Sequence, residues 1–407
     1  MTRFLARAYV FWLLSFLLWA GDPSLTFHHD NQRTGRTTNK GPATAGLLWG
    51  FAARGSFQAS PVTAADGSIF LASTDDCLYA LTPQGQLRWT FLAKASLYAT
   101  PAIASDGTLF FGDLAGWLYA LTSDGGLKWT YQLTEGTDRR VIASPVVSAD
   151  GRSYWASWNN QVYALSQEGK LLWKIAVGGL ISSSPSLDRE GNLYLASLDA
   201  SSPTHIAVQR LSPNAALHWK FDDDLGVDRN RILASPAIDE ERGQLYVAAS
   251  REEDGILYAL NLVDGQPAFR LTLPKGVLSS PALGNDGTIY LGCLDGKLYA
   301  VDAATGNKRW SFSSEGYFAL GSPTVDGAGR IYFGDSDGIL YALAPSGQEV
   351  WRFRTDASIV SAPVISDEGI LYATSCDSRM YALGSGASAY GRTQVRQRLK
   401  SNSASRR

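Results

Sequence analysis

The sequence predicts an all-β fold: an eight-bladed β-propeller of four-stranded antiparallel blades, its last blade closed by a strand from the N-terminal end. Three observations lead there. A unit of about forty residues recurs eight times. Each unit divides into short apolar segments separated by turns, with no helical period between them. Seven units carry their own aromatic final segment, and the eighth lacks one.

The units are marked by Ser60-Pro61, Thr100-Pro101, Ser144-Pro145, Ser184-Pro185, Ser235-Pro236, Ser280-Pro281, Ser322-Pro323 and Ala362-Pro363, with spacings of 40, 44, 40, 51, 45, 42 and 40 residues. A short apolar segment follows each pair. Then comes a turn such as Asp66-Gly67, Asp106-Gly107, Asp150-Gly151 or Asp286-Gly287, where glycine supplies the positive φ of a tight hairpin. A strand such as Ser68 to Ser73 leads through a second turn to Leu78-Tyr79-Ala80-Leu81. This tetrad returns at Leu118, Val162, Leu257, Leu298, Leu340 and Met380, and in degraded form at Val208-Gln209-Arg210-Leu211.

A glycine-bearing turn then precedes Trp89, Trp129, Trp173, Trp219, Trp310 or Trp351, with Phe269 in that place once. The tetrad at Met380 is followed by no such residue. Trp49 lies 11 residues before Ser60, the same interval as Trp89 to Thr100, so it is expected to complete the last blade. Closure removes the open edges that invite aggregation. The eight aromatic residues are read as docking one blade onto the next. A fully buried indole covers roughly 150–250 Å², an upper bound of roughly 4–6 kcal/mol each.

Around this repeat, residues 1–21 read as a signal peptide or signal anchor, with Arg3 and Arg7 before an uncharged run from Ala8 to Gly21. Residues 22–45 form a lead-in, 46–386 the propeller and 387–407 a tail. The tail carries Arg392, Arg396, Arg398, Lys400, Arg406 and Arg407, and no acidic residue follows Ser378. It reads as a solvated, disordered segment. A net charge of −2 singles out no partner class. Cys77, Cys293 and Cys376 fit neither a disulfide framework nor a zinc site and are expected as buried free thiols.

The run Ala300-Val301-Asp302-Ala303-Ala304-Thr305-Gly306-Asn307-Lys308-Arg309-Trp310 resembles the tryptophan-docking motif of the PQQ-like repeat family, the quinoprotein-type propellers named after pyrroloquinoline quinone. The resemblance covers residues 46 to 386. Phe27-His28-His29-Asp30-Asn31-Gln32-Arg33-Thr34-Gly35 is also similar to a lead-in found before such repeats in exported bacterial proteins. The family has two branches: quinone-dependent dehydrogenases, and non-catalytic outer-membrane assembly factors of the BamB kind. The dehydrogenase branch implies PQQ with calcium, held by carboxylates over an aromatic floor. No charged residue stands at the start of the segments after the Ser-Pro pairs, and there is no adjacent Cys-Cys pair and no c-type haem motif. Nor is there a nucleophile elbow, a phosphate loop or a nucleic-acid motif. The expectation is therefore no cofactor, no metal and no catalytic residue. The chain reads as an exported, periplasmic, monomeric scaffold for a protein of the envelope. A PQQ-dependent dehydrogenase and a polysaccharide-binding propeller are the alternatives.

Departures from the period point to a site. The interval from the aromatic residue to the next Ser-Pro is 15 residues after Trp129 and 16 after Trp219, against 11 or 12 elsewhere. Further insertions fall at Ala200 to Ala207 and around Arg251 to Glu253. Strand alternation puts all four on one face, around blades 2 to 5. Loops on a rigid scaffold collect binding functions. The expected partner-binding residues are Asp138, Arg139, Arg140, Asp228, Arg229, Arg231 and His205. The competing reading is that each Asp-Arg pair only staples its own loop.

Overall fold

The computed structural model describes residues 24–181, 183–199, 202–225, 234–250, 253–317 and 321–385. Among these, eight four-stranded antiparallel sheets form the blades. Blade 1 comprises Val62–Thr63, Ile69–Ala72, Cys77–Leu81 and Leu87–Leu92. Its first strand is innermost and its fourth is the outer edge. Blade 8 is composite: Val364–Ile365, Leu371–Ser375 and Arg379–Gly384 pair in order, and Gly46–Ala52 adds the outer strand. Trp49 pairs with Ala382 in that strand.

Each core lies between neighbouring blades. Val62, Phe70 and Ala72 of blade 1 pack with Ile103, Leu109 and Phe111 of blade 2. Tyr372, Met380 and Ala382 of blade 8 pack with Phe57, Ile69 and Leu71 and complete the ring.

The repeated residues have distinct physical tasks. In the tetrad, alanine stands opposite the tryptophan, as in Ala80 with Trp89 and Ala164 with Trp173. A small residue there leaves room for the indole. A bulge follows it in blade after blade, as between Ala80 and Leu81. Each fourth-strand ring also contacts a second-strand aromatic of its own blade, centroids 5.7–6.4 Å apart. Its other side meets the glycine of the next blade's turn: Trp49 meets Gly85, Trp89 Gly125, Trp129 Gly169 and Trp310 Gly347. The indole N–H groups of Trp89, Trp129, Trp173, Trp219 and Trp310 donate to carbonyls of those turns at 2.9–3.1 Å. Trp351 donates instead to Pro42 O at 3.0 Å, because the lead-in supplies the acceptor where blade 8 has no turn. These rings are less buried than the sequence suggested. Trp219 and Trp351 are buried, while Trp49, Trp89, Trp129, Trp173 and Trp310 lie half-buried at the rim, so each covers less area than the upper bound assumed. Among the cysteines only Cys293 is fully buried; Cys77 and Cys376 are half-buried, and all three are free.

The serine of each Ser-Pro pair links the inner ring. The N–H of Ser60 donates to Thr100 Oγ1, Thr100 to Ser144 Oγ, Ser144 to Ser184, Ser184 to Ser235, Ser235 to Ser280 and Ser280 to Ser322. Ala362 N–H donates to Ser60 Oγ and brings the belt back to blade 1, with every link at 2.9–3.0 Å. One position is broken: Ala362 offers Ser322 no hydroxyl. There Thr324 Oγ1 bridges blades 7 and 8 through Pro363 O at 2.7 Å.

The lead-in is part of the fold. Residues 24–39 follow the inner ring and meet the eight blades in order. The N–H groups of Thr63, Ile103, Leu187, Ile238, Leu283 and Val325 donate to the carbonyls of Ser24, Leu25, Asn31, Gln32, Thr34 and Gly35 at 2.7–2.9 Å. The amides of Asn31 and Asn39 donate to Val147 O and Ile365 O, which adds blades 3 and 8. Arg33 is fully buried at the centre. Its Nε donates to Pro185 O, Nη1 to Thr26 Oγ1 and Phe27 O, and Nη2 to Ser144 O and Pro145 O. All five donors of the fork are thus used on uncharged acceptors. Burial lowers its pKa to about 9, with Asp30 opposing. His28 lies between Arg33 O and Pro323 O, 2.8 Å from each. Burial lowers its pKa to about 4 against the pull of these carbonyls. Gly35 packs on the same imidazole, and a Cβ there would lie 2.3 Å from His28 Nε2.

Two outcomes are expected. Ala362→Ser completes the hydroxyl belt and raises stability by about 1 kcal/mol, while Ser184→Ala lowers it by about as much; urea midpoints at constant m check both. Because His28 has a lowered native pKa, its contribution is full above the unfolded value of 6.5 and is lost as pH falls toward 4. The loss is about 3 kcal/mol at most. His28→Asn, which tolerates the positive φ of 60°, should flatten this part of the pH–stability curve.

Candidate functional site

The ring has two unlike faces. Connections between first and second strands, and between third and fourth, are tight turns on the turn face, where the lead-in lies. The other connections form the loop face. Among the described residues, the longer interval after Trp129 and the extension at Ser202–Leu211 lie on that face.

The loop joining blades 2 and 3 is anchored at both ends. Leu133 N–H donates to Gly116 O at 2.9 Å and Val141 N–H to Asp113 O at 3.2 Å. Its crest leans on Ser157 to Asn160, which joins the second and third strands of blade 3. Trp158 N–H donates to Arg140 O at 3.1 Å, as does Ser157 Oγ. Asn159 Nδ2 donates to Glu135 O, and Glu135 pairs with Lys174 on the outer strand. Gly136 has φ 77°, and a Cβ on it would meet the Asn159 Cβ at 2.7 Å. Only glycine allows this approach.

Of the sequence-predicted residues, Asp138 and Arg140 form a bidentate pair within this loop, with Nε to Oδ1 at 2.9 Å and Nη2 to Oδ2 at 2.5 Å. These bonds hold Asp138 below the usual carboxylate range and push Arg140 up. Arg139 Nε donates to Gly136 O at 3.2 Å. Loop stapling is therefore present, yet Arg140 keeps an exposed guanidinium 4.0 Å above the Trp158 ring. The indole Nε1 of Trp158 is buried and has no partner among the described residues.

His205 sits on a different element. The insertion after Ala200 extends the ladder of blade 4: Ser202–Leu211 pairs with Leu217–Asp224 as far as His205 opposite Asp224. Its Nδ1 lies 3.1 Å from Asp222 Oδ2 and its Nε2 3.5 Å from Asp224 Oδ2. Asp228, Arg229 and Arg231 lie outside the described residues.

Sequence reasoning missed Trp158. One signal could have found it: of twelve tryptophans, seven occupy the repeated outer-strand place, and Trp158 stands four residues before Val162, outside that place.

A family model described as outer membrane protein assembly factor BamB matches residues 33–149, 116–275, 207–345 and 294–390. The chain belongs to this PQQ-like repeat family. No curated protein matches it significantly. Among solved structures, BamB from Moraxella catarrhalis is similar at TM-score 0.67 and 19% identity, covering 84% of this chain and 100% of that one. Quinohemoprotein alcohol dehydrogenase from Comamonas testosteroni is similar at TM-score 0.72 and 14% identity, over 90% and 81%. A europium-containing methanol dehydrogenase gives 0.71 and 13%, over 86% and 89%. At these identities the likeness shows the fold alone.

The dehydrogenase relatives raise the question of a quinone and its cation. The residues next to the hydroxyl belt are Ala59, Ala99, Ala143, Ser183, Ala234, Ser279, Gly321 and Ser361. They offer neither a carboxylate nor an aromatic floor. Among the described residues, no group of three His, Cys, Asp or Glu side chains is placed to hold a metal ion. These residues do not fit the group. No helix of the described residues is long and apolar enough to cross a membrane.

The Arg140–Trp158 contact should be measurable. A double-mutant cycle of Arg140→Ala and Trp158→Leu in urea unfolding is expected to give a coupling of about 0.5–1 kcal/mol. Zero coupling would mean that the stack carries no energy.

Proposed function

We propose that the protein is an exported, non-catalytic scaffold that binds a protein of the bacterial envelope through its loop face. The observation that carries this reading is Arg140 stacked on Trp158, on a loop anchored to blade 2 at both ends and held against blade 3 at its crest. Arginine and tryptophan are the side chains most enriched at binding hot spots, and preorganised ones cost least to bury. Trp158 Nε1, on the ring beneath this cation, is buried and has no partner among the described residues. Membership of the BamB family supports a role in envelope or outer-membrane protein assembly, and the apolar segment at residues 8–21 supports export. Asp138, Arg139, Asp228, Arg229, Arg231 and His205 belong to the proposed rim, with Arg140 at its centre. The aromatic residues of the outer strands serve blade docking.

The test is co-purification from the native envelope, read by mass spectrometry. Wild type is expected to retain a β-barrel assembly component, and Arg140→Glu with Trp158→Ala to lose it at an unchanged thermal midpoint. Asp124→Asn, on the turn face, should retain it. Equal recovery with all three proteins would refute the reading.

A further inference from the structure

The turn face carries a second site, independent of the loop-face reading. A cleft of about 650 Å³ opens between the lead-in and the turns of blades 2 to 4. Leu25, Ile103 and Leu187 contribute apolar surface to it. Its rim carries the carboxylates of Asp30, Asp150, Asp188 and Glu190.

Tyr154 also lines the cleft and is fully buried, yet its hydroxyl has no partner among the described residues. Three of its counterparts are satisfied, among them Tyr246, which donates to Ala303 O at 3.2 Å. Tyr194 donates to Asp188 and Tyr332 to Asp326, each at 3.1 Å. In blade 3 the place of that aspartate is taken by Ser148, whose hydroxyl turns to Asp150 at 2.5 Å. A buried hydroxyl without a partner is costly, and here it stands where a ligand can supply one.

We propose that this cleft binds a lysine or arginine side chain presented by an extended peptide. The apolar surface suits the aliphatic stem. The rim suits the cation. Arg152 lies 2.9 Å from Asp150, Arg210 lies 3.5 Å from Asp188, and Arg189 turns to Glu240 at 2.9 Å. With Glu240 counted, five carboxylates face these three guanidiniums and the buried Arg33 beside Asp30, so the site keeps a net negative charge. Asp150 and Glu190 keep 56% and 80% of their side-chain surface exposed and can take a further donor. Tyr154 then donates to a carbonyl of the peptide. An acidic ligand would meet repulsion at the rim.

The test is fluorescence anisotropy of a fluorescein-labelled Gly-Gly-Lys-Arg-Gly-Gly peptide titrated with the full chain. A second peptide carries Glu-Glu in place of Lys-Arg. The basic peptide is expected to bind, more weakly as salt rises, and the acidic one not to. Asp150→Asn with Glu190→Gln should weaken binding at least fivefold. Tyr154→Phe should weaken it two- to fivefold and still fold, since Phe70 and Phe110 occupy the same place in blades 1 and 2. Asp124→Asn, on the same face, should bind as wild type. Equal binding of the two peptides, no binding of either, or wild-type affinity in either cleft variant would overturn the proposal.

Discussion

Each blade of this protein has two apolar faces, and only a closed ring covers both. The cores show it directly: each lies between two blades, and the cluster of Phe57, Tyr372 and Met380 exists only because blade 8 meets blade 1. Closure depends on Gly46–Ala52 pairing with Arg379–Gly384, strands more than three hundred residues apart in the chain. The loop entropy of that pairing is spent before the last two core clusters form. The hydroxyl belt and the lead-in act at the opposite edge of the blades, the inner ring, where each first strand has only two or three residues to hold it.

The lead-in gives the two faces different characters. On the turn face it supplies acceptors to inner-strand N–H groups that would otherwise be buried unpaired, and it places a charged Arg33 among carbonyl oxygens at the buried centre. An uncompensated buried charge is expensive, so the geometry must satisfy every donor, and it does. That arrangement fixes the centre and leaves the loop face to vary. The loop joining blades 2 and 3 and the extended hairpin of blade 4 lie there, and both send residues into the neighbouring cores, Leu133 and Val141 between blades 2 and 3 and Ile206 between blades 4 and 5.

Where the repeat fails, the physics of the regular positions becomes visible. Phe269 keeps its ring against Gly306 but has no N–H to donate. Ala215 holds the glycine place of its turn at φ 65°, with Trp173 donating to Pro213 O nearby. Arg210 replaces the tetrad alanine opposite Trp219 and lays its guanidinium 5.8 Å from the Tyr194 ring, its Nε buried without a partner. Blades 4 and 5 absorb these losses because each interface has many contacts and needs no single one of them.

The sequence by itself determined the period, the four strands per blade, the use of Trp49 to complete the last blade and the face on which insertions fall. These are local or periodic properties, set by turn residues and by apolar spacing along a short stretch of chain. It placed Asp138, Arg139 and Arg140 on one inserted loop but did not reveal Trp158, because the contact of Arg140 with Trp158 joins two connections from different strands. The lead-in showed no period and no known chemistry. Its task is legible only when Ser24 to Asn39 is seen against eight inner strands spread along the whole chain. The same is true of the belt, whose serines announce a repeat but whose bonds run from blade to blade, and of Tyr154, which differs from Tyr194 only in lacking the aspartate that the fold would have set beside it. Tertiary structure decided these features, because hydrogen-bond satisfaction inside a ring is a property of neighbours in space and not along the chain.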